Sequence, residues 1–331
     1  MDSYRGKKVF ITGAAGFIGS HLTETLAIEG AVVKSLVHYN SLGSIGNLEC
    51  LPNSVRKSVE IVLGDIRDSN FIEKEIAGSE FVFHLAALIG IPYSYHAPNS
   101  YVDTNIVGTV NVLQACRKAN VQKMIHTSTS EVYGTAVYKP INEEHPLQGQ
   151  SPYSASKIGA DKMAESFHRS YGLPLVTVRP FNTYGPRQSA RAIIPTIISQ
   201  CLSDARSLKL GSTQPKRDFT YVGDTVRGFM AAASSKTVNG DVVNLGTGKY
   251  ISIGELADLI LKKSNRLIKI EIDQSRVRPK NSEVMELLCD PTKAFEKCSW
   301  KASVTIEEGL QNTIQFMQEN LLKFKPTIYN V

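Results

Sequence analysis

Apolar positions in the first half of the chain fall into short runs, and longer stretches with helical spacing separate them. Runs at 7–12 (KKVFIT), 31–37 (AVVKSLV), 59–65 (VEIVLGD), 80–88 (EFVFHLAAL), within VQKMIHTSTS and at 175–179 have strand length. They are apolar on both faces, as strands covered on both sides are. Amphipathic stretches follow the first run and occupy 99–119 and 153–171. Strand–helix alternation across 1–180 predicts an α/β fold, a Rossmann-type doubly wound parallel sheet. Beyond 180 proline and arginine recur, and the α/β pattern returns at 241–248 and 252–264. A closing amphipathic helix spans 304–321, with a capping-box-like Thr305 to Glu308. The expected division is 1–181 with 212–248 as the dinucleotide-binding domain, and 182–211 with 249–331 as a smaller C-terminal α/β lobe.

The first strand runs into GAAGFIGSHLTETLAIEG, so Gly13, Gly16 and Gly19 sit at a strand-to-helix turn that Phe17 and Ile18 carry into the helix. Glycine there permits a tight turn, close approach of a pyrophosphate and helix-on-strand packing, with the helix N–H groups facing the phosphates. The second strand, where an NAD site places an acid for the ribose, is followed by His38, Tyr39, Asn40 and Ser41. His38, Asn40 and Ser41 are donors, so the sequence leaves NAD or NADP open. Asp65 and Ile66 are placed to contact adenine. Leu85, Ala86 and Ala87 offer a flat strand end to the cofactor. His84, inside an apolar strand, reads as a satisfied core histidine, and Asn105 as a support for neighbouring strands.

The stretch HTSTSEVYGTAVYKPINEEHPLQGQSPYSASK joins a strand end to a helix that opens with Ser151 as N-cap and Pro152 at the first position. Tyr153 and Lys157 are four residues apart and share a helix face. An ammonium beside a phenol is expected to lower its pKa, making Tyr153 a base. Glu131 puts a carboxylate at the strand end, where α/β sheets hold reactive groups.

Composition narrows the function further. The 331 residues are 42% hydrophobic and 21% charged, and the net charge of +6 is spread without a basic block. That distribution argues against nucleic acid and leaves an anionic small molecule as the ligand. Five separated cysteines without a C-x-x-C pair read as reduced thiols, with no metal site. The N-terminus enters a strand at once and the longest apolar run, 81–91, is short for a bilayer. A cytoplasmic protein with no membrane partner is therefore expected.

TGAAGFIG, HLAAL, STSEVYG, YSASK, RPFNTYGPR and RDFTYVGD together resemble the extended short-chain dehydrogenase/reductase family over residues 6–322. Within it the chain is similar to the nucleotide-sugar 4,6-dehydratases. AALIGIPYSYHAP and RPFNTYGPRQSARAIIPTII are most similar to the NAD-dependent, GDP-N-acetylglucosamine-specific type of legionaminic acid pathways. The resemblance implies a tightly bound NAD or NADP that is recycled in each turnover. It also implies oxidation of the sugar at C4 by Tyr153, Lys157 and Thr129, then Glu131-driven loss of water across C5–C6. Return of the hydride to C6 gives a 4-keto-6-deoxy sugar.

Ser130 stands where glucose-type dehydratases have Asp. The string STSEVYG is shared with UDP-glucuronate decarboxylases, the alternative enzyme reading, followed by 4-epimerases. A non-enzymatic dinucleotide-binding role is the remaining alternative, which loss of Tyr153 or Lys157 would have signalled. Ser130, Asn182, Arg187, Arg191, Arg217 and Arg278 are implied to grip the nucleotide diphosphate sugar, although RVRPKNSEV departs from the usual Arg-Pro-Gly-Asp form. Arg191, Arg217, Arg276 and Arg278 read as arginines scattered over loops with no acidic partner nearby in sequence, which suits a diphosphate. The nucleotide base and the C2 substituent stay open. Relatives pair helices like 99–119 and 153–171 as a four-helix bundle, so a homodimer is implied. The apolar residues Val102, Ile106, Val110, Leu113, Ile158, Met163 and Phe167 serve either that contact or the intrachain core.

Overall fold

The computed structural model describes residues 4–277, 280–321 and 324. Seven strands form one parallel sheet: β1 (Lys8–Thr12), β2 (Val32–His38), β3 (Glu60–Gly64), β4 (Phe81–His84), β5 (Lys123–Thr127), β6 (Leu175–Pro180) and β7 (Val242–Leu245). The spatial order is β3-β2-β1-β4-β5-β6-β7. Chain direction across the sheet reverses beside β1 and β4, which opens a crevice at their carboxyl ends. Thr12 pairs with His84, and His84 with His126. The groups of three strand ends therefore lie level beneath that crevice.

Helices cover both faces, as the apolar pattern requires. Helices α1 (Phe17–Ile28) and Val222–Ser234 bury Leu22, Leu26, Val226 and Phe229 on one face. On the other, α2 (Ser69–Ile76), α3 (Gly108–Lys118) and α4 (Pro152–Tyr171) bury Ile72, Val112, Leu113, Ala164 and Phe167. A separate core unites helices Ile193–Cys201, Ile253–Lys263 and Ile306–Glu319 through Ile194, Ile198, Leu256, Ile260, Leu310 and Ile314. Ala294 and Trp300, in the stretch expected for the lobe, belong to the core of the first face, where the helix Thr292–Cys298 packs on Val222–Ser234 and β7. Each such fully buried aliphatic side chain stabilises the fold by about 1.5–3 kcal/mol.

Three elements differ from expectation. β4 stops at His84, because the next backbone groups find side-chain partners: Leu85 N and Ala86 N donate to Thr12 Oγ1, and Leu88 N donates to Asn105 Oδ1. The helix expected over 99–119 is built of Pro98–Tyr101, a wide π-type turn at Val102–Val107, and α3. Thr305 caps the last helix by accepting from Glu308 N, without the reciprocal half of a box. His84 is a satisfied core residue: Thr12 Oγ1 is 2.8 Å from Nδ1 and Thr109 Oγ1 is 3.0 Å from Nε2. Because Thr109 gives its own proton to Asn105 O, His84 donates through Nε2 and accepts at Nδ1.

Candidate active site

The carboxyl ends of the strands enclose a cavity of about 710 Å³. It is lined by Gly13, Gly16, Phe17, Ile18 and Gly19, by His38, Asp65 and Ile66, and by Leu85, Ala86 and Ala87. Thr129, Ser130, Glu131, Tyr153, Lys157 and Asn182 complete it. One space thus gathers most of the residues singled out from sequence.

At the glycine turn Gly13 has φ +70°, and a Cβ there would fall 2.7 Å from Ala86 N. A Cβ on Gly19 would fall 2.2 Å from Gly13 O. Gly16 caps α1 without a side-chain bond, leaving the first-turn amides to an anion. Three buried polar atoms lining the cavity also lack a partner: Thr127 Oγ1, Asn182 Nδ2 and Gln188 Oε1. Both observations fit a dinucleotide and a polar second ligand.

At the far end Asp65 accepts from Arg67 Nη2 at 2.6 Å, and that bond, with help from His38 3.7 Å away, holds its carboxyl below the usual range. Arg67 lines the cavity too, yet the sequence reading passed over it; its place two residues after Asp65 was the available signal. Asn40 and Ser41 lie outside the lining. Asn40 is spent on its own turn, donating to Ser44 O and accepting from Leu42 N and Ser44 N.

Helix α4 delivers Tyr153 and Lys157. Ser151 and Ser154 form a reciprocal capping box behind Pro152, fixing the first turn. Tyr153 packs with Leu88 and Ile91, edge-on to Tyr101 at 6.3 Å between ring centres. Burial is the largest effect on its phenol and raises the pKa, with Glu131 adding to the rise and a hydrogen bond to Thr129 opposing it. The expected lowering by Lys157 does not prevail. The Lys157 ammonium is itself desolvated, lowered to about 8, and donates to Thr127 O at 2.7 Å. Thr129 caps the turn Ser130–Tyr133 by accepting from Glu131 N, which sets the half-buried Glu131 in the same cavity. Among the described lining residues only Asp65 and Glu131 carry carboxylates.

The arginines are where the sequence reading departs most from the structure. Arg187 pairs with Glu24 at 2.6 Å and Arg217 with Glu283 at 3.1 Å, and neither lines the cavity. Arg276 has an acid close in sequence after all, Asp273. Arg191 is exposed at the rim, its Nη1 3.4 Å from where a Cβ on Gly90 would lie. Arg278 lies outside the described residues. Gln188, which was not singled out, does reach the cavity. It donates to Thr183 O at 2.8 Å, and its oxygen is buried without a partner.

Among the described residues no helix is long and apolar enough to cross a membrane, and no group of three or more His, Cys, Asp or Glu could hold a metal. All five cysteines are free.

A doubly wound sheet, a glycine turn under a helix start, and a buried Tyr-x-x-x-Lys pair in one cavity define an extended short-chain dehydrogenase/reductase. Residues 10–313 match the family model described as GDP-mannose 4,6 dehydratase, and the chain belongs to that family of nucleotide-sugar dehydratases and epimerases. It is 32% identical over 317 residues to a putative UDP-glucose 4-epimerase of Methanocaldococcus jannaschii, covering 94% of this chain and 99% of the relative. Among solved structures, it is similar to a UDP-N-acetylglucosamine 4-epimerase of Methanobrevibacter ruminantium M1, solved with UDP-N-acetylmuramic acid. That match has a TM-score of 0.86 and 32% identity, and covers 96% of this chain and 99% of the other. It is also similar to a double mutant of the Streptomyces venezuelae dTDP-glucose 4,6-dehydratase DesIV solved with NAD, with a TM-score of 0.86, 29% identity, and 97% and 100% covered.

Proposed function

We propose that the chain is a nucleotide-sugar 4,6-dehydratase acting on GDP- or UDP-N-acetylglucosamine to give the 4-keto-6-deoxy sugar nucleotide. The observation that carries this reading is Glu131. It is a carboxylate in the cavity beside Tyr153 and Thr129, at a position where a 4-epimerase has no use for an acid. The N-acetylglucosamine substrate and the legionaminic-acid context rest on the similarity of the sequence stretches named above.

NAD or NADP is held by the glycine turn, Leu85–Ala87 and the Asp65 end of the cavity. NAD is favoured by the relative solved with it. When bound, the cofactor supplies reversible hydride storage, so turnover leaves no net oxidation. Tyr153 takes the proton of the sugar 4-hydroxyl while the Lys157 charge stabilises the phenolate, and Thr129 orients the 4-oxygen. The 4-ketone makes the C5 proton acidic, and Glu131 removes it. With Ser130 in place of a second acid, Glu131 returns that proton to the departing 6-hydroxyl and water leaves; C5 then regains a proton, balancing the one Tyr153 took, as the stored hydride is returned to C6. Asn182 Nδ2, a buried donor without a partner, grips a diphosphate oxygen.

Residues 1–181 with 212–248 bind the dinucleotide and 182–211 with 249–331 the sugar nucleotide; the separate cores support this division, with 294–300 packed on the former. A homodimer through 99–119 and 153–171 is supported by the exposed Val102 and Val107.

The test is incubation with each N-acetylglucosamine nucleotide and product mass analysis. Loss of one water without net NAD(P)H supports the reading, and Glu131→Gln should lower that activity by about 10²–10⁴-fold. A product of unchanged mass, the C4 epimer, would overturn it in favour of the epimerase. Carbon dioxide loss from UDP-glucuronate alone would favour the decarboxylase.

A further inference from the structure

Below Tyr153 and Lys157, one more turn along the same face of α4, stands Asp161. Its residue is 4% exposed, and its carboxylate accepts four hydrogen bonds. His126 Nε2 donates to Oδ1 at 3.1 Å. Ser128 Oγ donates to Oδ2 at 2.7 Å, and Arg179 adds Nη2 at 2.9 Å and Nε at 3.2 Å. Burial lowers the His126 pKa, so the ring is neutral, and Asp161's charge is offset by Arg179 in direct contact and by the nearby Lys157 ammonium. Arg179 is fixed in turn by Tyr133, whose hydroxyl it donates to at 3.0 Å and whose ring it covers.

His126 and Ser128 are the residues on either side of Thr127, and Thr127 O is the acceptor of the Lys157 ammonium. We propose that Asp161 is a positioning residue of the reaction: by holding His126 and Ser128 it fixes the Thr127 carbonyl that orients Lys157. This rests on the role assigned above to Tyr153 and Lys157. A stability role alone needs only the Asp161–Arg179 pair, since buried ions must be paired. It does not account for Asp161 gripping both neighbours of the one carbonyl that receives the lysine.

The titratable and charged groups around Lys157 are Tyr153 and Asp161 on its own helix, His84 of β4, His126 of β5, Glu131 of the following turn and Arg179 of β6. Both histidines have lowered pKa values, chiefly through burial, and Asp161 is the charge that favours the ammonium. Removing that charge while Arg179 stays makes Lys157 lose its proton at lower pH.

Asp161→Asn is therefore expected to lower kcat by about 10- to 100-fold, as a misplaced group of this kind does. KM for the sugar nucleotide should stay within about threefold, and the alkaline limb of the kcat–pH profile should move to lower pH by about one unit, a tenfold change in the proton equilibrium. Ser128→Ala removes only one bond to Asp161 and should give a smaller shift in the same direction. It decides the matter if Asp161→Asn does not fold. Folded variants with the wild-type alkaline limb and wild-type kcat would overturn the proposal. Tyr153→Phe is assayed alongside: retained activity there would show that the Tyr–Lys reading itself had failed, whereas an inactive Tyr153→Phe leaves the outcome to Asp161 and Ser128.

Discussion

Gly13→Ala tests whether the glycine turn is set by backbone conformation, by close approach, or by both. At φ +70° an L side chain costs about 1 kcal/mol. The added Cβ would also stand 2.7 Å from Ala86 N and 2.8 Å from Leu85 C, which are backbone atoms that cannot swing aside. Overpacking of that kind costs about 1–3 kcal/mol. Moving the strand end would further weaken the two 3.1 Å bonds from Leu85 N and Ala86 N to Thr12, worth about 1 kcal/mol each. The sum is about 4–6 kcal/mol, or a Tm about 6–9 °C lower for a chain of this size. Gly43→Ala isolates the first part: φ is +66° there, but nothing lies within 4 Å, so about 1 kcal/mol and about 1.5 °C are expected. Differential scanning calorimetry of both variants, with calorimetric titration of NAD, reads the difference. Because Ala86 also lines the cavity, Gly13→Ala should weaken NAD at least tenfold, about 1.4 kcal/mol, while Gly43→Ala should not. Equal Tm losses in the two variants, or unchanged NAD affinity in Gly13→Ala, would refute the close-approach argument.

Lys123, almost fully buried and donating to Ser235 O, is lowered by burial from 10.5 to about 8. Between those values the unfolded chain holds a proton that the folded one lacks, so stability rises with pH at about 1.4 kcal/mol per unit from this group. Lys157, also at about 8, contributes likewise. Urea midpoints from pH 8 to 10 should climb, and Lys123→Met should lose its part of the slope; a slope identical to the unmodified protein's would count against it. For the proposed dimer, Val102→Glu with Val107→Glu places charges on side chains that are each 46% exposed in the single chain. Light scattering should show a folded monomer, whereas Leu113→Ala, in the chain's own core, should lower Tm without dissociating the dimer.

What the sequence made legible is what local spacing encodes. Three glycines at intervals of three between a strand and a helix specify a turn whose contacts lie within a few residues. Tyr153 and Lys157 share a face because a helix repeats every 3.6 residues. Asn40 was equally local: an Asn two to four residues before free backbone amides is positioned to cap its own turn, and this competes with ligand binding. Arg276 was local as well, with Asp273 one helical turn away in sequence.

The remaining arginines mark where such reasoning stops. Arg187 meets Glu24 across 163 residues and Arg217 meets Glu283 across 66, so the acid paired with each cation lies far off in the chain. Which acid faces a loop arginine is therefore known only once the chain is folded. The same holds for Tyr153. Sequence places an ammonium one turn away, but which effect governs the phenol depends on how much water reaches it. In the folded chain Leu88, Ile91 and Tyr101 exclude that water, and Lys157 turns to Thr127 O. Burial therefore pushes the phenol's pKa upward, which the four-residue spacing of Tyr153 and Lys157 alone does not reveal.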